Sequence, residues 1–167
     1  GGPYPSAEPE KTLERDDHLD IVVVGEGEEV FYDLIVAYYN KKPLADVPGI
    51  YHRKNGEVKQ SETRDVIQDL DSIPIPDWTL VDFDRYKNVM GQAPVFRKMA
   101  PILTTRGCPY ACTYCHELFQ KRFRVRSAQH IVEELEVLSD LGVHDISVID
   151  DIFNLYPERV IEIFNLI

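Results

Sequence analysis

The sequence predicts an α/β fold with parallel strands. Three observations carry that expectation: apolar runs of strand length at residues 21–24 and 146–149, amphipathic stripes at helical spacing after them, and a second half ordered strand, loop, helix, strand, loop, helix. Such an order joins parallel neighbours through right-handed crossovers. With 44% apolar and 28% charged residues, the 167-residue chain can bury a core. No apolar run approaches the roughly 18 residues of a membrane span.

Residues 1–20 are rich in proline and acid and read as loop with room for a short helix. Ile21-Val22-Val23-Val24 is a buried-strand run that ends in Gly25-Glu26-Gly27-Glu28. That ending reads first as a tight turn. Cofactor contact comes second, because Val30 stands where a dinucleotide loop carries its third glycine. Apolar side chains at 30, 31, 34, 35, 38 and 39 then make a helical stripe, which Asn40 and Pro43 close. Asn55-Gly56 between residues 49–53 and 57–63 is a hairpin signal, since both central residues of a type I′ turn need positive φ. Residues 65–99, broken by Pro74, Pro76 and Pro94, have poor periodicity and read as a linker that holds the domain junction. Beyond it, residues 101–105 form a short strand, and Ser127 can N-cap a helix whose Ile131, Leu135, Leu138 and Leu141 share one face. Gly142 ends that helix, residues 146–149 form the next strand, and Pro157 suits the first turn of the last helix. The chain opens on Gly1 rather than Met, and Ile167 stops inside a helical pattern, so a longer polypeptide is expected around it.

The formal charge of −11 argues against a nucleic-acid binder, which carries a basic footprint. The average hides one basic island. From 94 to 126, Arg97, Lys98, Arg106, Lys121, Arg122, Arg124 and Arg126 stand against the single acid Glu117, a local charge of +6. The chain's three cysteines lie inside that island, at Cys108, Cys112 and Cys115. So crowded a set cannot make the dispersed disulfide framework of a secreted domain, and a reducing, cytoplasmic compartment is expected.

Cys108, Cys112 and Cys115 have the spacing C-x3-C-x2-C. Thiolates this close on one loop can wrap a single soft metal centre, and iron–sulfur clusters select such ligands. A four-iron cluster on three cysteines leaves one iron for another ligand. That open iron would lie at the C-terminal end of a strand, where barrel enzymes place their chemistry.

This loop resembles the signature of the radical S-adenosylmethionine (radical SAM) superfamily, a C-x3-C-x-aromatic-C loop after the first strand of a (β/α) barrel, with Tyr114 at the aromatic position. The resemblance implies that Cys108, Cys112 and Cys115 hold three irons of a [4Fe-4S] cluster and that SAM chelates the fourth. Reductive cleavage of SAM would then yield a 5′-deoxyadenosyl radical, with a flavodoxin or ferredoxin as electron donor and a small molecule as substrate. It also places Asp150 and Asp151, at the end of the second strand, beside the SAM amino group, although the Gly-Gly-Glu of many relatives is absent. Gly1-Gly2-Pro3-Tyr4-Pro5, residues 20–28, Val47-Pro48-Gly49-Ile50-Tyr51 and Asp71-Ser72-Ile73-Pro74 are similar to the cobalamin-binding subfamily. In that subfamily a Rossmann-like B12 domain precedes the barrel. Of its cobalamin motif only the terminal Gly-Gly is present, as Gly1 and Gly2.

Bland readings stand beside these. Zinc with His116 as fourth ligand is one, though adjacent Cys115 and His116 would struggle to take two corners of a tetrahedron. Cys112-Thr113-Tyr114-Cys115-His116 also matches C-x-x-C-H, the c-type haem attachment pattern, which leaves Cys108 unexplained. Asp150-Asp151 could be a solvated strand end or a cap. The run from Lys121 to Arg126 is either solvated surface or a source of guanidinium groups for the SAM carboxylate. The remaining histidines, 18, 52, 130 and 144, need no catalytic role.

The expected layout is the C-terminal part of a B12 domain over 1–45, a hairpin and Pro-rich linker over 46–100, and the first βα units of a radical SAM partial TIM barrel over 101–167. The expected activity is cobalamin-dependent methylation or rearrangement at an unactivated carbon. The alternatives are a radical SAM enzyme without cobalamin, such as a cyclase or sulfur-inserting enzyme, and a metal-binding or haem electron-transfer module.

Overall fold

A computed structural model describes residues 1–86, 98–115, 119 and 121–167. The chain divides into two units, Gly1–Ile67 with Cys112–Gln120, and Gln68–Ala111 with Lys121–Ile167. Arg97, His116 and Glu117, which the sequence places in the basic island or in the rival metal sites, lie outside the described residues.

The first unit opens with two short helices, α1 (Pro3–Ala7) and α2 (Pro9–Arg15), each started by a proline that suits a first turn. The sequence had room for one short helix. Strand β1 (Ile21–Val23) follows, then α3 (Glu28–Tyr39), then the hairpin β2 (Ile50–Lys54) and β3 (Glu57–Gln60). The hairpin has the expected two-residue turn, with Asn55 at φ 54 and Gly56 at φ 82 and Lys54 facing Glu57. Its partner was not expected: β2 pairs antiparallel with β1, Val22 opposite Tyr51, in a sheet ordered β1-β2-β3. Val30, Leu34 and Ala37 of α3 pack with Val47 and Ile50 to form the unit's core. Val30 and Leu34 are members of the expected stripe and Ala37 is an addition to it; the stripe's other members, Phe31, Ile35, Tyr38 and Tyr39, face solvent.

The second unit begins with three short 3-10 turns over Leu70–Ser72, Trp78–Leu80 and Phe83–Tyr86. Asp69 and Asp77 nucleate the first two by accepting backbone N–H groups two residues on, at 3.0 and 3.1 Å. This is how a Pro-punctuated segment without periodicity acquires structure. Then come β4 (Met99–Ile102), the two-residue strands β5 (Thr105–Arg106) and β6 (Arg124–Val125), α4 (Ala128–Asp140), β7 (Asp145–Val148) and α5 (Pro157–Leu166). β4 and β7 are parallel neighbours, Ala100 opposite Ile146, as the strand and helix order requires. β5 and β6 are antiparallel, an addition the sequence did not signal.

Helix α4 is bounded by the residues that the sequence marks. Ser127 Oγ accepts the His130 N–H at 3.1 Å. At the other end Gly142 takes φ 74, its N–H reaches Ser139 O at 2.9 Å, and Val143 N–H reaches Leu138 O at 3.0 Å, the two bonds of a Schellman motif. The core collects Phe83, Ala100, Ile102, Ile131, Leu138, Val143 and Ile163. Among the described residues no helix is long and apolar enough to cross a membrane.

Candidate iron–sulfur site

The cysteine loop leaves the second unit from the end of β5. Gly107, at φ 81, turns the chain in a conformation that a side chain would strain, immediately before Cys108. Cys112 and Cys115 share a turn closed by the Cys115 N–H on Cys112 O at 3.2 Å. All three thiols are free; Cys112 is exposed, and Cys108 and Cys115 are half-buried. Tyr114, between the last two cysteines, is 91% exposed.

Three reduced, reachable thiols on one short loop are a soft donor set that suits iron–sulfur ligation. Among the described residues no group of three His, Cys, Asp or Glu side chains is placed to hold a metal ion. Ligands of a multi-iron cluster attach to different irons and need not converge on one point.

The strand end that leads into this loop is fixed by a polar network inside the second unit. Thr104 and Thr105 are 0% and 1% exposed. Asp150, just past β7, accepts the Thr104 N–H at 2.6 Å, the Thr105 N–H at 3.0 Å and the Thr104 hydroxyl. The Thr104 carbonyl accepts from Arg126 N–H at 3.0 Å and Arg159 Nη2 at 2.8 Å. Arg159 also reaches Arg126 O at 3.0 Å. Burial lowers the Arg159 pKa from its ordinary value, against the opposing pull of Asp150.

Arg126 is committed as well. Its Nη1 pairs with Glu134 Oε2 and donates to Leu103 O at 3.0 Å, while Nη2 donates to His130 O at 3.2 Å. Glu134, 2% exposed, takes Trp78 Nε1–H on its other oxygen at 2.9 Å. A guanidinium bound this way cannot turn out to meet the SAM carboxylate, so that expectation does not extend to Arg126. Asp71 accepts the Ser127 N–H at 2.9 Å and lies 3.2 Å from His130. Burial pushes the Asp71 carboxyl up, but the Ser127 bonds and the nearby His130 and Arg126 outweigh it and hold the pKa below its ordinary value.

The other candidates sit apart in chemistry. Asp151 is exposed, unlike its neighbour Asp150. Gly2 precedes α1, and Gly1 lies beside the end of β1, where an added Cβ would stand 3.5 Å from Val23 O. The Gly25-Glu26-Gly27 segment is a structural turn: Gly25 N–H donates to Ser6 Oγ at 3.0 Å and Glu26 accepts the Ile67 N–H at 2.7 Å.

Sequence reasoning missed the roles of Glu134, Arg126, Arg159 and Thr104. Glu134 did carry a signal. It occupies the same helical face as Ile131, Leu135 and Leu138, so a carboxylate there had to be buried with a partner.

The second unit holds a parallel β-α-β motif, and the three cysteines follow β5 in the chain, between the motif's first strand and its helix. The model of the radical SAM superfamily matches residues 102–167, a span that includes all three cysteines. The chain is 36% identical over 166 residues to an uncharacterized methyltransferase of Pyrococcus horikoshii, covering 98% of this chain and 35% of that protein. It is 33% identical over 133 residues to the anaerobic magnesium-protoporphyrin IX monomethyl ester cyclase of Rubrivivax gelatinosus, covering 77% of this chain and 23% of that one. Among solved structures it is similar to OxsB, a cobalamin-dependent S-adenosylmethionine radical enzyme with aqua-cobalamin and S-adenosylmethionine bound. That match has a TM-score of 0.72 and 25% identity, covering 97% of this chain and 23% of that one. Residues 102–167 belong to the radical SAM superfamily. The chain spans about a third or less of the length of these relatives.

Proposed function

We propose that the full-length protein is a cobalamin-dependent radical SAM enzyme that methylates or rearranges a small molecule at an unactivated carbon. The observation that carries this reading is the C-x3-C-x2-C loop at the end of β5, in a chain similar over nearly its whole length to a methyltransferase. When bound, the cluster and SAM supply reductive radical chemistry and cobalamin supplies a methyl carrier.

In this reading Cys108, Cys112 and Cys115 hold the cluster as thiolates and leave one iron open for SAM. Tyr114, exposed between two ligands, and Asp151, exposed at the end of β7, are the groups proposed to meet SAM; a carboxylate there complements the SAM ammonium. Gly1, beside the end of β1, and Gly2, before α1, are proposed to border cobalamin as the terminal Gly-Gly of the cobalamin motif. The layout proposed is the tail of a B12 domain followed by the first units of a partial barrel. A reducing cytoplasm with a flavodoxin- or ferredoxin-type donor suits free thiols that must stay reduced.

Likeness to the cyclase supports a second reading, ring formation by the same site. The test is anaerobic reconstitution of the full-length protein with iron and sulfide, with and without cobalamin, followed by assay of SAM cleavage and methyl transfer. Cys112→Ala is expected to lose both the cluster and SAM cleavage. SAM cleavage that needs no cobalamin and moves no methyl group would favour the second reading.

A further inference from the structure

We propose that Asp150, backed by Arg159, is a positioning residue for the cysteine loop, because its carboxylate fixes the backbone at Thr104 and Thr105 from which Cys108 is launched. The proposal rests on the reading of Cys108 as a cluster ligand.

Asp150 Oδ1 accepts two successive backbone N–H groups and Oδ2 accepts the Thr104 hydroxyl, so both oxygens are engaged by one turn of chain. The Thr104 carbonyl is held in turn by Arg126 N–H and Arg159. Every polar group of Thr104 thus has a tertiary partner, at a residue with no solvent exposure. Thr105 Oγ1 adds a longer contact to Ile152 O at 3.4 Å.

Adjacent strand-end carboxylates therefore do different things. Asp151 is exposed, while Asp150 is spent on the backbone. Charge-assisted bonds to paired N–H groups are the strong kind, and they are placed where geometry matters most. Two residues, Arg106 and Gly107, separate Thr105 from Cys108, and Gly107 takes φ 81. Sites of this sort tolerate errors of only about 0.5 Å, so release of the Thr104 and Thr105 amides would move a ligand beyond tolerance.

The test uses the full-length protein with Asp150→Ala and Asp150→Asn. In the metal-free protein, amide hydrogen exchange of residues 104–108 is expected to quicken about ten- to hundredfold while α4 keeps its protection, which separates a local clamp from global loss of stability. After reconstitution, the EPR signal of the reduced cluster without SAM is expected to change, with Asp150→Asn nearer to wild type because it keeps one carbonyl oxygen as acceptor. If Asp150→Ala does not fold, Asp150→Asn carries the test alone. Wild-type exchange at residues 104–108 would overturn the proposal. So would an unchanged SAM-free signal combined with tenfold weaker SAM binding, which would make Asp150 a direct SAM ligand. Cys108→Ala with undiminished iron would refute the cluster reading, and the exchange result would stand apart from it.

Discussion

Glu134→Leu removes one half of a buried ion pair and the acceptor of the Trp78 indole at once. Glu134 is 2% exposed; it holds Arg126 Nη1 with one oxygen and Trp78 Nε1–H with the other. Removing one partner of such a pair costs about 3–5 kcal/mol, because the remaining charge stays buried. Here the guanidinium keeps the carbonyls of Leu103 at 3.0 Å and His130 at 3.2 Å, which places the expected loss near the lower end, at about 3 kcal/mol. Native-state hydrogen exchange of the α4 amides measures it as a fall in opening free energy. The double variant Arg126→Met/Glu134→Leu replaces the pair by apolar side chains of similar length and is expected to recover at least half of the loss, since a buried pair gains little over a well-packed apolar one. A loss below about 1 kcal/mol for Glu134→Leu, or a double variant no more stable than the single, would refute the reasoning.

The helix caps and Asp71 give further expected outcomes. Gly142→Ala places a side chain at φ 74 and is expected to cost about 1–2 kcal/mol, read as a lower thermal midpoint. Ser127→Ala loses the acceptor of the His130 N–H and is expected to cost about 1 kcal/mol by the same measurement. Asp71 has a folded pKa below its unfolded one, so its stabilising contribution is complete above the unfolded value of about 3.9 and is lost as pH falls through the lower folded value. Thermal midpoints followed downward from pH 5 are therefore expected to fall less steeply in Asp71→Asn than in wild type; equal slopes would show that Asp71 does not carry this acid sensitivity.

Local punctuation was the part of the fold most legible in the sequence. Asn55-Gly56, Ser127, Gly142 and Pro157 each act where they stand, and the structure uses all of them. The parallel pairing of β4 with β7 was legible too, because a helix between two strands leaves little choice of direction. The antiparallel pairing of β1 with β2 was not. It joins residues about thirty apart, and nothing in a three-residue strand names its partner. The two-residue pair β5 and β6 is too short to show a period at all.

For the site, the cysteine spacing announced the chemistry, while its scaffolding stayed hidden. Asp150 read as a SAM contact through the family resemblance, which places polar residues at the end of the second strand; only tertiary structure brings the Thr104 and Thr105 amides to it from 45 or 46 residues away. Arg126 read as a free cation in a basic run, since Glu134 lies a full two turns further along the chain.

The proposed chemistry requires that the three-cysteine loop leave an iron open to SAM. The most direct measurement is the EPR spectrum of the anaerobically reconstituted, reduced full-length protein, recorded before and after SAM is added. A [4Fe-4S] signal whose g-values shift on addition of SAM, and which is lost in Cys108→Ala, Cys112→Ala and Cys115→Ala, is the predicted result. A signal indifferent to SAM, or a cluster that survives loss of any one of these cysteines, would contradict it.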